Sequence, residues 1–426
     1  MTLRKKIMLW LAFIMLIAYI DRMNFAIAAP IIMKEFGLLA GQLGIIMSAF
    51  TLGYMVTNFV GGFVVERFKP RLVLTIILLL WSAMVAFTGI AWSFVSLLFI
   101  RILFGLFEGP MIPSLTKTVT IWAPPKERGF ASGLWMAALP VGVVVGNVLS
   151  AVIIEGMGWR ACFYMYGAVG IVVAYITWQF IRNNPKEHPS ISKQELDYIE
   201  TSIANHEGEQ LSTGSTVLEL LKNPWVWVLS FVYFSITLAF WANVNWLPTY
   251  LVKVRGSTIL KSGFLSALPW VAGALGAFIM GWFSDHFKKS KSTLMAICLF
   301  LMAPFTAYGV ITPSLTVCIA CFCISIFFIM GFLGIVYAVP MELFPRNDVA
   351  KASGIMLGCG SFAGVLSPTL VGYIVQYTNS FNAAYYVFAV MAVAGGLVSL
   401  LFLARKEASV LEEKRLCKQE QPVMSN

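Results

Sequence analysis

The stretch IMLWLAFIMLIAYIDRMNFAIAA, residues 7–29, decides how the chain must be read. At about 1.5 Å per residue, a helix of this length crosses a ~30 Å hydrocarbon core. Two adjacent charges, Asp21 and Arg22, stand inside it. A second apolar run, FVSLLFIRILFGLFEGPMIPSLT at residues 94–116, carries Arg101 and Glu108. Each ionised side chain at mid-membrane depth costs roughly 2.5–3.5 kcal/mol on insertion scales, so four of them mark a functional site.

The surrounding composition agrees with a membrane setting. Hydrophobic residues make up 59% of the 426 residues and charged residues 12%, with a mean hydropathy of +0.82. Soluble domains carry about 25% charged residues. Twelve membrane-length runs begin near residues 7, 42, 73, 94, 129, 161, 225, 262, 293, 315, 353 and 383, and none shows the alternation of a transmembrane strand. The fold expected is an all-α membrane protein of twelve transmembrane helices in two pseudo-symmetric six-helix bundles. The domains expected are residues 1–182, a cytoplasmic linker at 183–223, a second bundle at 224–404 and a cytoplasmic tail at 405–426.

The net charge of +10 follows topology rather than a polyanionic partner. With both termini in the cytoplasm, inside segments hold 22 Lys and Arg residues and outside loops hold 5: Lys34, Arg160, Lys253, Arg255 and Lys261. That asymmetry is the positive-inside rule, and nucleic acid is not expected as a partner. The first run is too long for a cleavable signal core. Cys318 and Cys321 have redox or zinc spacing, but no His or carboxylate accompanies them at that depth, so they read as small packing residues. In the linker, Ser192 and Glu195 have the spacing of a capping box opening a short amphipathic helix.

The halves echo one another. Gly62-x-x-x-Glu66-Arg67-Phe68-Lys69 recurs as Gly281-x-x-x-Asp285-His286-Phe287-Lys288 at an offset of 219, and Ala131-Ser132-Gly133 recurs as Ala352-Ser353-Gly354 at 221. Parallel six-helix repeats of this kind build carriers. At these residues the chain resembles the major facilitator superfamily, whose loop after the second span carries a Gly-x-x-x-Asp-Arg-x-Gly-Arg-Lys-type motif. Here Glu66 replaces the aspartate and Lys69 the second glycine. The resemblance implies the major facilitator fold and a gating role at the cytoplasmic side for Glu66, Arg67, Arg71 and Asp285.

The depths of the four charges predict a geometry. Asp21 lies ~12 Å from the outer end of the first span and Arg101 ~10 Å from the outer end of the fourth, so the two meet if those helices are neighbours. Arg22 points roughly 100° away from Asp21. Glu108 is two turns from Arg101, some 10 Å deeper on a face that Gly105 keeps open. Two acids and two arginines balance; an arriving carboxylate would take an arginine as a bidentate partner and leave an acid easier to protonate.

Further motifs narrow the family. Tyr19-x-Asp21-Arg22-x-Asn24, Glu35-Phe36-Gly37, Ser48-Ala49-Phe50 with Tyr54, Arg101-x-x-x-Gly105-x-x-Glu108, Glu127-Arg128 and Trp246-x-Pro248-x-Tyr250-Leu251 resemble the anion:cation symporter family, which includes galactonate, glucarate, hexuronate and phthalate permeases. The resemblance implies Asp21 and Glu108 as proton sites, Arg22 and Arg101 as anion-binding and coupling groups, and Tyr19 and Tyr54 as hydroxyl donors to substrate. Asn24, Asn243, Asn245 and Trp246 complete the expected substrate contacts, with Tyr337, Ser361 and Ser367 as weaker polar candidates. Leu139 and Leu357 stand where sugar-acid members are expected to carry amides, which favours a less hydroxylated acid.

The function expected is therefore proton-coupled import of a small organic carboxylate by alternating access. The protein is expected to act as a monomer in a bacterial inner membrane, with no cofactor or metal beyond protons. Two other readings are a transporter-fold sensor of an organic anion and an organophosphate/phosphate antiporter; the seventh span lacks the arginine expected of the latter. An enzyme is not expected, since His188, His206 and His286 all fall in cytoplasmic segments.

Overall fold

The computed structural model describes residues 1–204, 215–286, 290–345, 347–407 and 409. His206, Phe287, Lys288, Lys289, Arg346, Cys417 and the basic residues of the tail beyond Lys406 lie outside the described residues. Among the described residues there is no strand, and twelve helices are long and apolar enough to cross a bilayer. The first seven long helices are α1 (Leu3–Glu35), α2 (Ala40–Phe68), α3 (Pro70–Thr88), α4 (Phe94–Glu108), α5 (Met111–Trp122), α6 (Pro125–Met157) and α7 (Trp159–Phe180). The linker carries α8 (Lys193–Ala204) and α9 (Val217–Lys222). The second half is built from α10 (Pro224–Lys253), α11 (Ile259–His286), α12 (Lys291–Ile311), α13 (Leu315–Val336), α14 (Val339–Leu343), α15 (Val349–Thr378) and α16 (Phe381–Val398).

The twelve spans follow the apolar runs, with the fourth and tenth each divided. Gly109 and Pro110 separate α4 from α5 within one span, Phe94–Trp122, because proline cannot donate to the helical ladder and clashes with the preceding turn. Ser93 opens α4 as an N-cap, accepting from Ser96 N at 3.2 Å.

The chain forms two compact units. The first comprises residues 1–210 with 242–271 and 364–379; the second comprises 211–241, 272–363 and 380–426. In the first, α1 is the central element: every residue from Ile17 to Pro30 is buried, so a helix with almost no amphipathic face is enclosed on all sides. It packs along α6, while α2 packs on α4 and α3 on α7. The end of this unit where α2 begins also receives the last turns of α15: Trp246 Nε1 donates to Pro368 O at 3.0 Å, and Ser48 Oγ accepts from Thr369 N at 3.2 Å and Thr369 Oγ1 at 2.7 Å. In the second unit α12 packs on α13 and α16, and Thr306 and Ser325 share a hydroxyl hydrogen bond at 2.6 Å. Such buried hydroxyl pairs tie helices where no hydrophobic force acts between them.

The capping box in the linker forms only in part. Ser192 Oγ accepts from Glu195 N at 3.2 Å, but the Glu195 carboxylate does not return to Ser192. It caps α1 instead, accepting from Leu3 N at 3.1 Å and Arg4 N at 2.9 Å, where the free N–H groups and the helix dipole favour an anion. Arg4 then bridges Glu195 and Glu127 at 3.3 and 3.0 Å, fixing α8 to the first bundle. At the far end of the linker, Asp348 accepts from Ser215 N and Oγ, each at 2.7 Å. His188, beside Trp122 and Phe180, has its imidazole pushed below the ordinary range by burial and then by the Arg182 charge.

Candidate functional site

The four intramembrane charges all lie in the first unit and all are buried, Glu108 completely. Arg22 and Glu108 form the ion pair: Nε and Nη2 of Arg22 both donate to Glu108 Oε1, at 2.8 and 2.5 Å. The other carboxylate oxygen, Oε2, is buried with no hydrogen-bond partner. Rings surround the guanidinium, with its carbon 4.5 Å from the Tyr19 centroid, 4.9 Å from Tyr54 and 5.1 Å from Phe50. Cation–π contacts of this kind are worth more when desolvated, up to about 2 kcal/mol.

Asp21 does not meet Arg101. Among the described residues Asp21 enters no ion pair, and Arg101 is held over Phe25, Phe50 and Phe104 at 4.5, 5.0 and 5.4 Å with its Nε unpartnered. The two meet only if their helices are neighbours, whereas α1 packs along α6 and α4 along α2, and rotation then decides the pairing. Adjacent residues diverge by about 100°, and it is Arg22, on the side of Tyr54 and Glu108, that finds the acid.

Gly105 does not keep an open face either. A Cβ there would lie 2.7 Å from Tyr54 N and 2.9 Å from Phe50 C, so the backbone of α2 occupies the space. The close approach is what brings Phe50 and Tyr54 against the two arginines. Phe25 and Phe104 are site residues that the sequence did not single out, and Phe50 entered there only as part of a motif, without a role at the site. Their spacing is that of any packed apolar face.

The remaining expected residues are placed as follows. Asn24 is fully enclosed, and neither amide atom has a hydrogen-bond partner. Asn243, Asn245 and Trp246 are buried in the part of α10 that belongs to the first unit, where Trp246 ties α10 to α15. Tyr250 accepts from Arg255 Nε at 2.7 Å. Tyr337 lies in the second unit, its hydroxyl 3.4 Å from that of Tyr233. Arg71 is stacked on Trp178 at 3.9 Å and donates from Nε to the Trp178 carbonyl, while Glu66, Arg67 and Asp285 form no ion pair among the described residues. No group of His, Cys, Asp and Glu among the described residues could hold a metal ion.

Twelve membrane-length helices with a compensated ion pair deep inside the first bundle define a class, the polytopic carriers with an intramembrane charged site. Within that class the chain belongs to the Major Facilitator Superfamily, whose family model matches residues 11–341 and 274–425. It is 29% identical over 396 residues to the hexuronate transporter of Bacillus subtilis, covering 91% of this chain and 92% of that one. It is 30% identical over 396 residues, 90% of each chain, to a Cupriavidus necator protein named "Probable sulfoacetate transporter". The D-galactonate transporter of Escherichia coli is 29% identical over 399 residues, 91% of this chain and 92% of its own. The fold resembles the crystal structure of a bacterial homolog of the human lysosomal transporter Spinster in an inward-facing and occupied conformation, with a TM-score of 0.75, 20% identity, and coverage of 96% of this chain and 97% of that one. These relatives are transporters rather than enzymes, and the curated ones carry organic anions.

Proposed function

We propose that the protein is a proton-coupled symporter that imports a small organic carboxylate across a bacterial inner membrane, with both termini in the cytoplasm. The observation that carries this reading is the Arg22–Glu108 pair: a buried arginine whose fork is spent on one carboxylate oxygen, beside a second buried arginine, Arg101, that enters no ion pair among the described residues. A substrate carboxylate offers Arg22 a bidentate alternative and gives Arg101 a partner. Losing Arg22 leaves Glu108 as an uncompensated buried acid, which neutralises by taking a proton. Anion and proton are then bound together. Asp21 is the second proton site, and Tyr19 and Tyr54 orient the bound acid. Relatives named for a hexuronate, an aldonate and sulfoacetate support the substrate class. Leu139 and Leu357 favour its less hydroxylated members. Glu66, Arg67, Arg71 and Asp285 serve the cytoplasmic gate.

Glu108→Gln keeps the shape but not the titrating group. In proteoliposomes loaded with and bathed in galacturonate or sulfoacetate, it is expected to lose proton-driven accumulation by more than tenfold while counterflow persists. Equal loss of both activities would assign Glu108 to the scaffold. Arg101→Ala is expected to remove the thermal stabilisation that these acids give the purified native protein, by at least tenfold in apparent affinity. Unchanged affinity would exclude Arg101 as an anion ligand.

A further inference from the structure

Asp21 takes no part in the Arg22–Glu108 ion pair, and its neighbours include side chains of α3 and α7. The side chains around it are not those of a substrate site. From α3, Trp81 is near enough for its indole N–H to act on the Asp21 carboxyl, although Trp81 Nε1 and Asp21 Oδ2 make no formed hydrogen bond. From α7, Cys162 and Tyr166 stand within its electrostatic reach, and Tyr166 shares a 2.9 Å hydrogen bond with Ser150 of α6. Glu108 acts on it from α4 as a like charge, and Arg22, its chain neighbour, is turned to Glu108. No cation faces Asp21 among the described residues.

Three buried polar groups here lack partners: Asp21 Oδ2, Trp81 Nε1 and both amide atoms of Asn24. Trp81 and Asn24 are fully enclosed. Asn24 follows Asp21 by three residues in α1, so their side chains are neighbours on one side of the helix. Buried N–H donors are rarely left unmade, and each such case calls for an explanation. Two donors and two acceptors, all unsatisfied on Asp21, its helix neighbour Asn24 and the nearby Trp81, have a shared one.

We propose that Trp81 and Asn24 are positioning residues for Asp21, two N–H donors held in reserve for its carboxylate once it has given up a proton. While Asp21 carries the proton, neither donor is needed at full strength. When the proton leaves, a carboxylate with no cation nearby draws in the Trp81 and Asn24 N–H groups, and charge-assisted hydrogen bonds replace the missing ion pair. The two acids of the first bundle are thereby compensated differently, Glu108 by arginine and Asp21 by neutral dipoles. Only the first is open to competition from an anionic substrate. This inference rests on the proton-coupling role of Asp21.

A ligand-free infrared titration tests it. In native protein a carboxylic acid carbonyl band is expected to appear on acidification and to be missing in Asp21→Asn. Trp81→Phe removes one donor from the ionised state, so the band is expected to persist to higher pH, its midpoint displaced by about one pH unit, tenfold in proton affinity. Asn24→Leu, a smaller perturbation should the tryptophan variant fail to fold, moves it in the same direction. Loss of thermal stability with an unmoved midpoint in both variants overturns the proposal and leaves Trp81 and Asn24 as packing residues. A band that survives Asp21→Asn also overturns it. Failure of the transport reading is separately visible, as absence of proton-driven galacturonate and sulfoacetate uptake by native protein.

Discussion

Arg22→Met is expected to be the most damaging single substitution in the first bundle, lowering stability by about 3–5 kcal/mol and abolishing transport. The methionine fills much of the arginine volume and suits the ring cage of Tyr19, Phe50 and Tyr54. What it removes is the ion-pair partner that a fully buried carboxylate has among the described residues. Breaking one side of such a pair leaves an uncompensated charge in a low-dielectric site, and that penalty far exceeds the net worth of the pair. The double variant Arg22→Met/Glu108→Leu removes both charges together, and buried pairs replaced by apolar side chains are often neutral or stabilising. It is expected to recover most of the thermal midpoint in detergent while transporting nothing. If the double variant is no more stable than the single one, the two side chains are not an electrostatic unit and the coupling argument loses its base. Recovery of stability without transport separates what the pair does for the fold from what it does for the cargo.

The same pair shows what could be read from the sequence and what could not. Span count and the two charged helices follow from the length of each apolar run and a fixed rise per residue, both one-dimensional quantities. Partner choice depends on rotation about the helix axis and on neighbour order. The sequence supplies the 100° between Asp21 and Arg22 but not its origin, so a meeting of Asp21 and Arg101 is conditional on their helices being neighbours; in the structure Arg22 reaches Glu108. Gly105 likewise signals a close approach without saying whether a ligand or a backbone makes it, and the answer is the backbone of α2. Trp81 reads as one of many aromatics in an apolar run, and only its complete burial beside Asp21 distinguishes it. Glu195 kept its helix-capping chemistry but applied it to α1, 192 residues away in the chain.

The second large effect is expected at the opposite kind of residue, one with no side chain. Gly44 in α2 lies against α15: a Cβ there would stand 2.5 Å from Pro368 O and 3.0 Å from Thr369 Cα, distances that backbone atoms cannot relieve by a rotamer change. One turn further along α2, Ser48 Oγ accepts from Thr369, and at the start of the helix Gly41 N donates to Gln376 at 3.1 Å. On the proposed topology, with both termini in the cytoplasm, this seam falls at the outer side, where its contacts would hold α2 against α15. Gly44→Leu is therefore expected to wedge the seam apart, cutting transport by more than tenfold while binding of galacturonate or sulfoacetate from outside survives, because Arg22, Glu108 and Arg101 are untouched. A reporter cysteine, Ser48→Cys, should then react with a membrane-impermeant maleimide faster with leucine at residue 44 than with glycine there. Lost transport with unchanged labelling would mean that the added side chain damages the fold rather than the closure. Faster labelling with retained binding would tie the small residues of α2 to the conformational step and the charges of α1 and α4 to recognition.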